Sequence, residues 1–204
     1  MDKKLVVIGA SGHGKVIADI AKKLGYREIS FLDDDTTVAE CNGYSVVGTT
    51  KDLENYKSCD FIVAIGNAEI RKKIQNRLES ENFNIATLIH PNAIIGENVS
   101  LGKGTVVMAG AVINPCTKIG DGCIVNTCAS IDHDCVVSDF VHVSVGAHVA
   151  GTVTIGENTW IGAGATVSNN VKIIDNCMIG AGAVVVKTIE KQGTYVGVPV
   201  KKVE

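Results

Sequence analysis

His133 stands between two acids, Asp132 and Asp134. Carboxylates on both sides favour the protonated imidazole and make the neutral ring a stronger base, fit to take a proton from an attacking nucleophile. The stretch around it is rich in such groups: Asn126, Asp132, His133, Asp134, His142 and His148. Three of the chain's five histidines fall in this one short stretch, in the middle of a repeat. Taken singly, each reads most simply as a surface histidine; their concentration argues for a site.

A second constellation lies near the start. Gly9-Ala10-Ser11-Gly12-His13-Gly14 follows an apolar run and opens a helical pattern, the setting of a phosphate-binding turn. It departs from the dinucleotide fingerprint, because Ser11 stands for the middle glycine and His13 intrudes. Asp33, Asp34 and Asp35 follow about 20 residues on, where a ribose-binding acid sits in such folds. A tight turn beside a solvated acidic loop is the plainer reading. The pairing of turn and acids, with a third apolar run ending Ile65-Gly66-Asn67, favours a nucleotide site.

Other chemistries are excluded. The seven cysteines are odd in number and form no Cys-x-x-Cys pair, which points to reduced thiols in a cytoplasm and away from a disulfide frame or a zinc site. Nineteen basic against 22 acidic residues leave a net charge of −3, with no nucleic-acid footprint. No apolar run reaches the roughly 18–20 residues that span a bilayer. The run that follows Met1-Asp2-Lys3-Lys4 is too short for a secretion signal and ends in Gly9, so it reads as a first buried strand.

The elements that must position these groups change character near residue 87. Before it, apolar runs at 5–8, 29–32 and 61–65 alternate with helical spacing. One helix carries Val16, Ile17, Ile20, Ala21 and Leu24 and stops at Gly25; another is capped by Asn67 and carries Ile70, Ile74 and Leu78. That alternation predicts a small parallel α/β, Rossmann-like domain over residues 1–87.

Residues 88–189 divide into 17 hexads without an insertion. The second residue is aliphatic in all 17, and the sixth is small or β-branched. A period of six predicts a parallel β-helix over residues 88–204, three hexads to a triangular coil and five to six coils in all. Each aliphatic second residue points into the prism and stacks on the one three hexads later. Cys123, Cys135 and Cys177 share the sixth position and read as core; Cys116 and Cys128, at the fifth, lie nearer the surface. Glycines at the third position (Gly96, Gly102, Gly120, Gly156, Gly162, Gly180) are expected at corners with positive φ. The chain holds 28 Val and 22 Ile against 7 Leu, and 34 of those 50 β-branched residues lie in 88–204, so the prism explains the bias.

The order GASGHGKV, FLDDD, IVAIGNAEIRKKI, LIHPNA, NTCASIDHDC, HVSVGAHVAGTVTIG and YVGVPVKK resembles one family across the chain. It is similar to the bacterial nucleotide-sugar N-acetyltransferases of the hexapeptide-repeat group that modify UDP-4-amino-4,6-dideoxy sugars, as in bacillosamine biosynthesis. The resemblance implies a left-handed β-helix and a cytoplasmic homotrimer. Acetyl-CoA would lie between neighbouring subunits, the UDP-amino sugar on the N-terminal domain, and no metal would take part. It places the general base on His133 and Asn126 near the sugar. The acid after the base is usually Glu and is Asp134 here, a shorter side chain expected to couple less well to His133. His142 corresponds to a histidine contacting acetyl-CoA, and Gly151, Ala163 and Ala181 to backbone along which coenzyme A lies. Ser11, Gly12, His13, Asp33, Asp34 and Gly66 match the nucleotide-sugar turns. Gly197-Val198-Pro199-Val200-Lys201 resembles a Gly-x-Pro-Ala-Lys ending with Val200 in place of Ala. The implied reaction is direct acyl transfer in a ternary complex, with backbone N–H groups holding the oxyanion.

The nearest alternative is O-acetylation of a sialic acid or another sugar hydroxyl, which uses the same cofactor and base. A β-helical metal enzyme built from His133, His142 and His148 departs in spacing and leaves the first domain without a purpose. A non-catalytic nucleotide-binding scaffold is the third reading, first supported by failure to bind coenzyme A.

Overall fold

The computed structural model describes residues 3–203, so Met1 and Asp2 at the head of the first apolar run lie outside the described residues. Among the described residues no helix is long and apolar enough to cross a membrane. The chain divides into two compact units, Met1–Pro91 and Asn92–Glu204.

In the first unit, β1 (Lys4–Ile8) leads into α1 (Gly12–Lys23) and β2 (Glu28–Leu32). A short hairpin of β3 (Glu40–Cys41) and β4 (Tyr44–Ser45) follows, then β5 (Asp60–Val63), α2 (Ala68–Ser80) and β6 (Asn84–Ile85). Four strands form a parallel sheet in the order β2-β1-β5-β6. The three expected strands and both helices are present. The hairpin had no hydrophobic alternation to announce it; its turn, Asn42-Gly43, has φ of 55° and 80°, the positive pair a tight hairpin demands. Helix α1 buries Ile17, Ala18, Ile20 and Ala21, while Val16, expected on that face, is 41% exposed. Asn67 caps α2 as expected, its Oδ1 accepting the Ile70 N–H at 3.0 Å. Val6, Ile8, Leu32, Phe61, Val63, Leu78 and Phe83 pack as one core on the α2 side.

From Leu88 to Val185 a short strand opens every hexad. In the second unit these strands stack in three parallel sheets, each strand pairing with the one a full coil of three hexads further on: Ile124 with His142, Ser130 with His148, Val136 with Thr154. The second-position side chains fill the interior, with Val125, Ile131, Ile155 and Ile161 at 0–1% exposure. Burial of each such side chain contributes roughly 1.5–3 kcal/mol.

The sixth position has its own ladder. Thr105, Thr117 and Thr159 are buried. Each donates its hydroxyl to a backbone carbonyl of the next coil and accepts the N–H of the cysteine stacked above it: Cys123, Cys135 and Cys177. These three cysteines are core, and Cys116 and Cys128 are exposed, as the register requires.

One expectation fails. The third-position glycines do not have positive φ; the fifth position does, at residues as varied as Asn98, Cys116, Asp134, Phe140, Gly146, Thr152 and Gly164. The third-position glycines answer a different need, close approach by the next coil. A Cβ on Gly96 would sit 2.6 Å from Pro115 N, and one on Gly162 2.5 Å from Ile179 O. On Gly102, Gly120 and Gly156 it would strike the carboxylates of Asp121, Asp139 and Asp175, which reach across to accept the N–H groups of Lys103, Asp121 and Glu157.

Candidate functional site

His133 and Asp134 form a corner turn after the strand Ser130–Ile131. The backbone holds that turn from both sides: Asp134 N–H donates to Pro115 O at 3.2 Å on the coil below, and His133 O accepts from Thr152 N–H at 2.9 Å on the coil above. Asp134 takes the left-handed conformation, φ 56°, which Asp tolerates better than most residues. Its Oδ2 lies 2.7 Å from His133 Nδ1, so the shorter acid reaches the imidazole after all. With Nδ1–H donating there, Nε2 carries the lone pair. The ring lies against Gly151, where a Cβ would come within 2.7 Å of Nε2. Glycine at 151 therefore keeps Nε2 clear.

The Asp134 hydrogen bond and then the Asp132 charge raise His133 above the ordinary imidazole value. Asp132 itself is held below the usual carboxylate range, chiefly by the Asn114 amide and the His133 N–H. The group is solvent-exposed, so these effects bear on proton affinity and little on stability.

Asn126 and His142 meet on the first face. Thr127 N–H donates to Asn126 Oδ1 at 2.7 Å, which fixes the amide and turns Nδ2 toward His142 Nε2 at 3.1 Å. His142 stacks on Trp160, ring centroids 4.6 Å apart, and Trp160 Nε1 donates to Ser144 Oγ at 2.6 Å. These residues line a largely apolar cleft of about 440 Å3 together with Val145, Gly162, Ala163, Met178, Ile179, Gly180 and Ala181. Asn126, His142, Ala163 and Ala181, all anticipated, are thus brought to one place. Trp160, Ser144 and Met178 were not anticipated. The signal for Trp160 was available: it is the chain's only tryptophan and stands three hexads, one full coil, after His142. The corner beside the cleft is bare, because Gly146, Gly164 and Gly182 have open space where a Cβ would stand.

His133 and Gly151 do not join that cleft. They sit at the corner that follows the second face, one hexad further around the prism. His148 lies on the second face with its Nδ1 2.8 Å from Ser130 Oγ, so His142 and His148 diverge, as their register implied. Burial raises the thiols of Cys41, Cys59, Cys135 and Cys177.

In the first unit, Ser11, Asp33, Asp34 and Gly66 line a cleft of about 340 Å3 with Gly9, Thr50, Ile65, Ile70 and Ile74. Ile70 is 49% exposed because it faces this cleft instead of the core. Gly12 and His13 stand just behind, in the first turn of α1. The acids are already engaged. Asp33 accepts from Ala10 N–H at 2.6 Å and Asp35 N–H at 2.9 Å, tying the loop after β2 to the glycine turn. Asp34 accepts from the Thr50 N–H at 2.8 Å and from its hydroxyl. Behind Gly66, the buried Arg71 donates to the carbonyls of Ile65 and Gly66 at 2.8 and 2.9 Å. His13 is partly buried near that guanidinium, and desolvation first and the Arg71 charge second bring its pKa down to about 4. It is therefore neutral near pH 7.

Comparison with known proteins agrees with this division. Residues 4–78 match the family of the PglD N-terminal domain, and residues 152–187 match the bacterial transferase hexapeptide repeats. The acetyltransferase domain of PglB from Neisseria gonorrhoeae is 44% identical over 99% of this chain and 100% of that one, with a TM-score of 0.95. PerB from Caulobacter crescentus, solved with CoA and GDP-perosamine, is 34% identical over 98% of this chain and 97% of that one, TM-score 0.94. UDP-N-acetylbacillosamine N-acetyltransferase from Bacillus subtilis is 34% identical over 112 residues, and the match spans 52% of this chain and 52% of that protein.

Proposed function

This chain belongs to the hexapeptide-repeat N-acetyltransferases that carry a PglD-type N-terminal domain, with a left-handed β-helix, and on that premise we propose that it acetylates the 4-amino group of a UDP-4-amino-4,6-dideoxy sugar. Acetyl-CoA is the acetyl donor. One relative of near-identical architecture has been solved in complex with acetyl coenzyme A, and another with CoA and GDP-perosamine. The observation that carries the reading is the His133–Asp134 pair, 2.7 Å apart with Nε2 turned to the bare Gly151 corner.

His133 Nε2 takes a proton from the sugar nitrogen as that nitrogen attacks the thioester carbonyl. The tetrahedral intermediate collapses with loss of the C–S bond, and the departing sulfur receives the proton back from the imidazolium. Asp134 holds the ring and stabilises its charge. The cleft of His142, Trp160, Ala163 and Ala181 takes the slender pantetheine arm, and the bare corner at Gly164 and Gly182 lets it lie against the backbone. His133 and that cleft occupy different corners of one prism, which supports a homotrimer in which one copy's His133 serves the cleft of a neighbour. The nucleotide lies at the Ser11, Asp33 and Gly66 cleft, with its diphosphate toward the first turn of α1.

The test is direct. Purified protein with acetyl-CoA releases CoA thiol and acetylates a UDP-4-amino-4,6-dideoxy sugar. A free or CMP-linked sialic acid offered instead gives no release above background. Turnover of the sialic acid with an inert amino sugar refutes the assignment.

A further inference from the structure

One polar pair on the second face is unlike everything else in its column. The third-position residues there run Gly96, Asn114, Asp132, Ala150, Ser168 and Val186. Asn114 and Asp132 are stacked neighbours, since the strands before them pair Val112 with Ser130 and Ile113 with Ile131. Asn114 Nδ2 donates to Asp132 Oδ1 at 2.7 Å, and the same oxygen accepts the His133 N–H at 2.8 Å. A single carboxylate oxygen thus joins an amide on one coil to the backbone of the catalytic turn on the next.

We propose that Asn114 is a positioning residue for His133, acting through the Asp132 carboxylate. The inference rests on the reading of His133 as the general base. Asn114 fixes the rotamer of Asp132, so that its charge stands at the start of the turn and its Oδ1 clamps the His133 N–H. Asp134 then holds the other end of the residue through the ring. The two carboxylates divide the work: one orients the backbone, the other the imidazole.

Electrostatics point the same way. The Asn114 bond is the largest cause of the lowered Asp132 pKa, and the Asp132 charge is the second cause of the raised His133 pKa. The charged groups acting on His133 are Asp132 and Asp134. The other titratable side chains on its own hexad and on those stacked below and above it are Cys116, Cys135 in the interior, whose thiol burial pushes up, and His148, whose Nδ1 lies 2.8 Å from Ser130 Oγ. Gly151 and Thr152 above carry no charge.

The experiment is a double-mutant cycle of Asn114→Ala and Asp132→Asn in the full chain, read three ways: kcat, the pH profile of kcat/KM, and the His133 titration by histidine NMR. Alanine is already tolerated in this column at Ala150, so Asn114→Ala keeps the coil. Asn114→Ala is expected to lower kcat about tenfold with the KM for acetyl-CoA unchanged. The acid limb and the His133 titration move together to lower pH, and Asn114→Ala adds nothing once Asp132 is Asn. An unmoved His133 titration in Asn114→Ala, or the same shift persisting in the Asp132→Asn background, overturns the proposal. The NMR titration does not depend on activity, so the relay stands or falls there separately. Loss of the base assignment itself shows only in His133→Ala.

Discussion

Asp134 Oδ2 reaches His133 Nδ1 at 2.7 Å because the acid adopts a left-handed backbone at the corner, φ 56°. Side-chain length alone argued for a weak coupling; the turn conformation makes the contact close. This contact and the Asp132 charge raise His133 above its ordinary value of 6.5.

The first prediction concerns pH. A general base works only when neutral, so kcat/KM rises with pH through the His133 pKa and levels above it. The acid limb is expected above pH 6.5, the unperturbed imidazole value. Asp134→Asn removes the largest raising cause, moves the limb to lower pH and lowers the plateau. A limb that stays in place in Asp134→Asn contradicts the pairing.

The second concerns space at the base. Gly151→Ala puts a methyl 2.7 Å from Nε2. The corner has an ordinary backbone there, so folding is little affected, but the ring must swing away. A loss of about a hundredfold in kcat with an unchanged melting temperature is expected. Steady-state kinetics beside thermal denaturation checks both halves.

The third concerns the cleft. Trp160→Ala removes the ring stacked on His142 at 4.6 Å. It is expected to raise the KM for acetyl-CoA about tenfold and to leave the KM for the nucleotide sugar alone. A rise in the second constant instead would place the coenzyme elsewhere.

The fourth concerns stability. His13 is partly buried and neutral, with a pKa of about 4 against 6.5 unfolded. The unfolded chain therefore binds a proton that the folded chain refuses. Its contribution is full above pH 6.5 and is lost as pH falls toward 4, about 3 kcal/mol over the window. Urea unfolding between pH 7 and 4 measures the slope, and His13→Asn should flatten it.

Much of this was legible in the sequence, for a physical reason. A prism with one residue type per position writes its geometry as a period, so the coil register, the buried Cys123 and the exposed Cys128 all followed from counting. The grouping of His142 with Ala163 and Ala181 was implied by the family resemblance, which also set Gly151 beside them; the structure puts Gly151 against His133 at another corner. What escaped depends on φ or on contacts across coils. The third-position glycines were given a turn role that belongs to the fifth position, because composition does not separate a need for positive φ from a need for closeness. Asp33 and Asp34 stand where a ribose-binding acid would sit, and only the structure shows the bonds that they accept from Ala10 and Thr50. Asn114 gave no signal, since an isolated Asn in a hexad is ordinary until Asp132 is seen above it.

The central claim is that His133 is the proton acceptor in acetyl transfer to the amino sugar. Turnover of acetyl-CoA with a UDP-4-amino-4,6-dideoxy sugar by His133→Ala, set against its oligomeric state, tests it most directly. A loss of about 10²–10⁴ in kcat with an unchanged oligomeric state is predicted. Near-normal turnover in that variant would contradict the account.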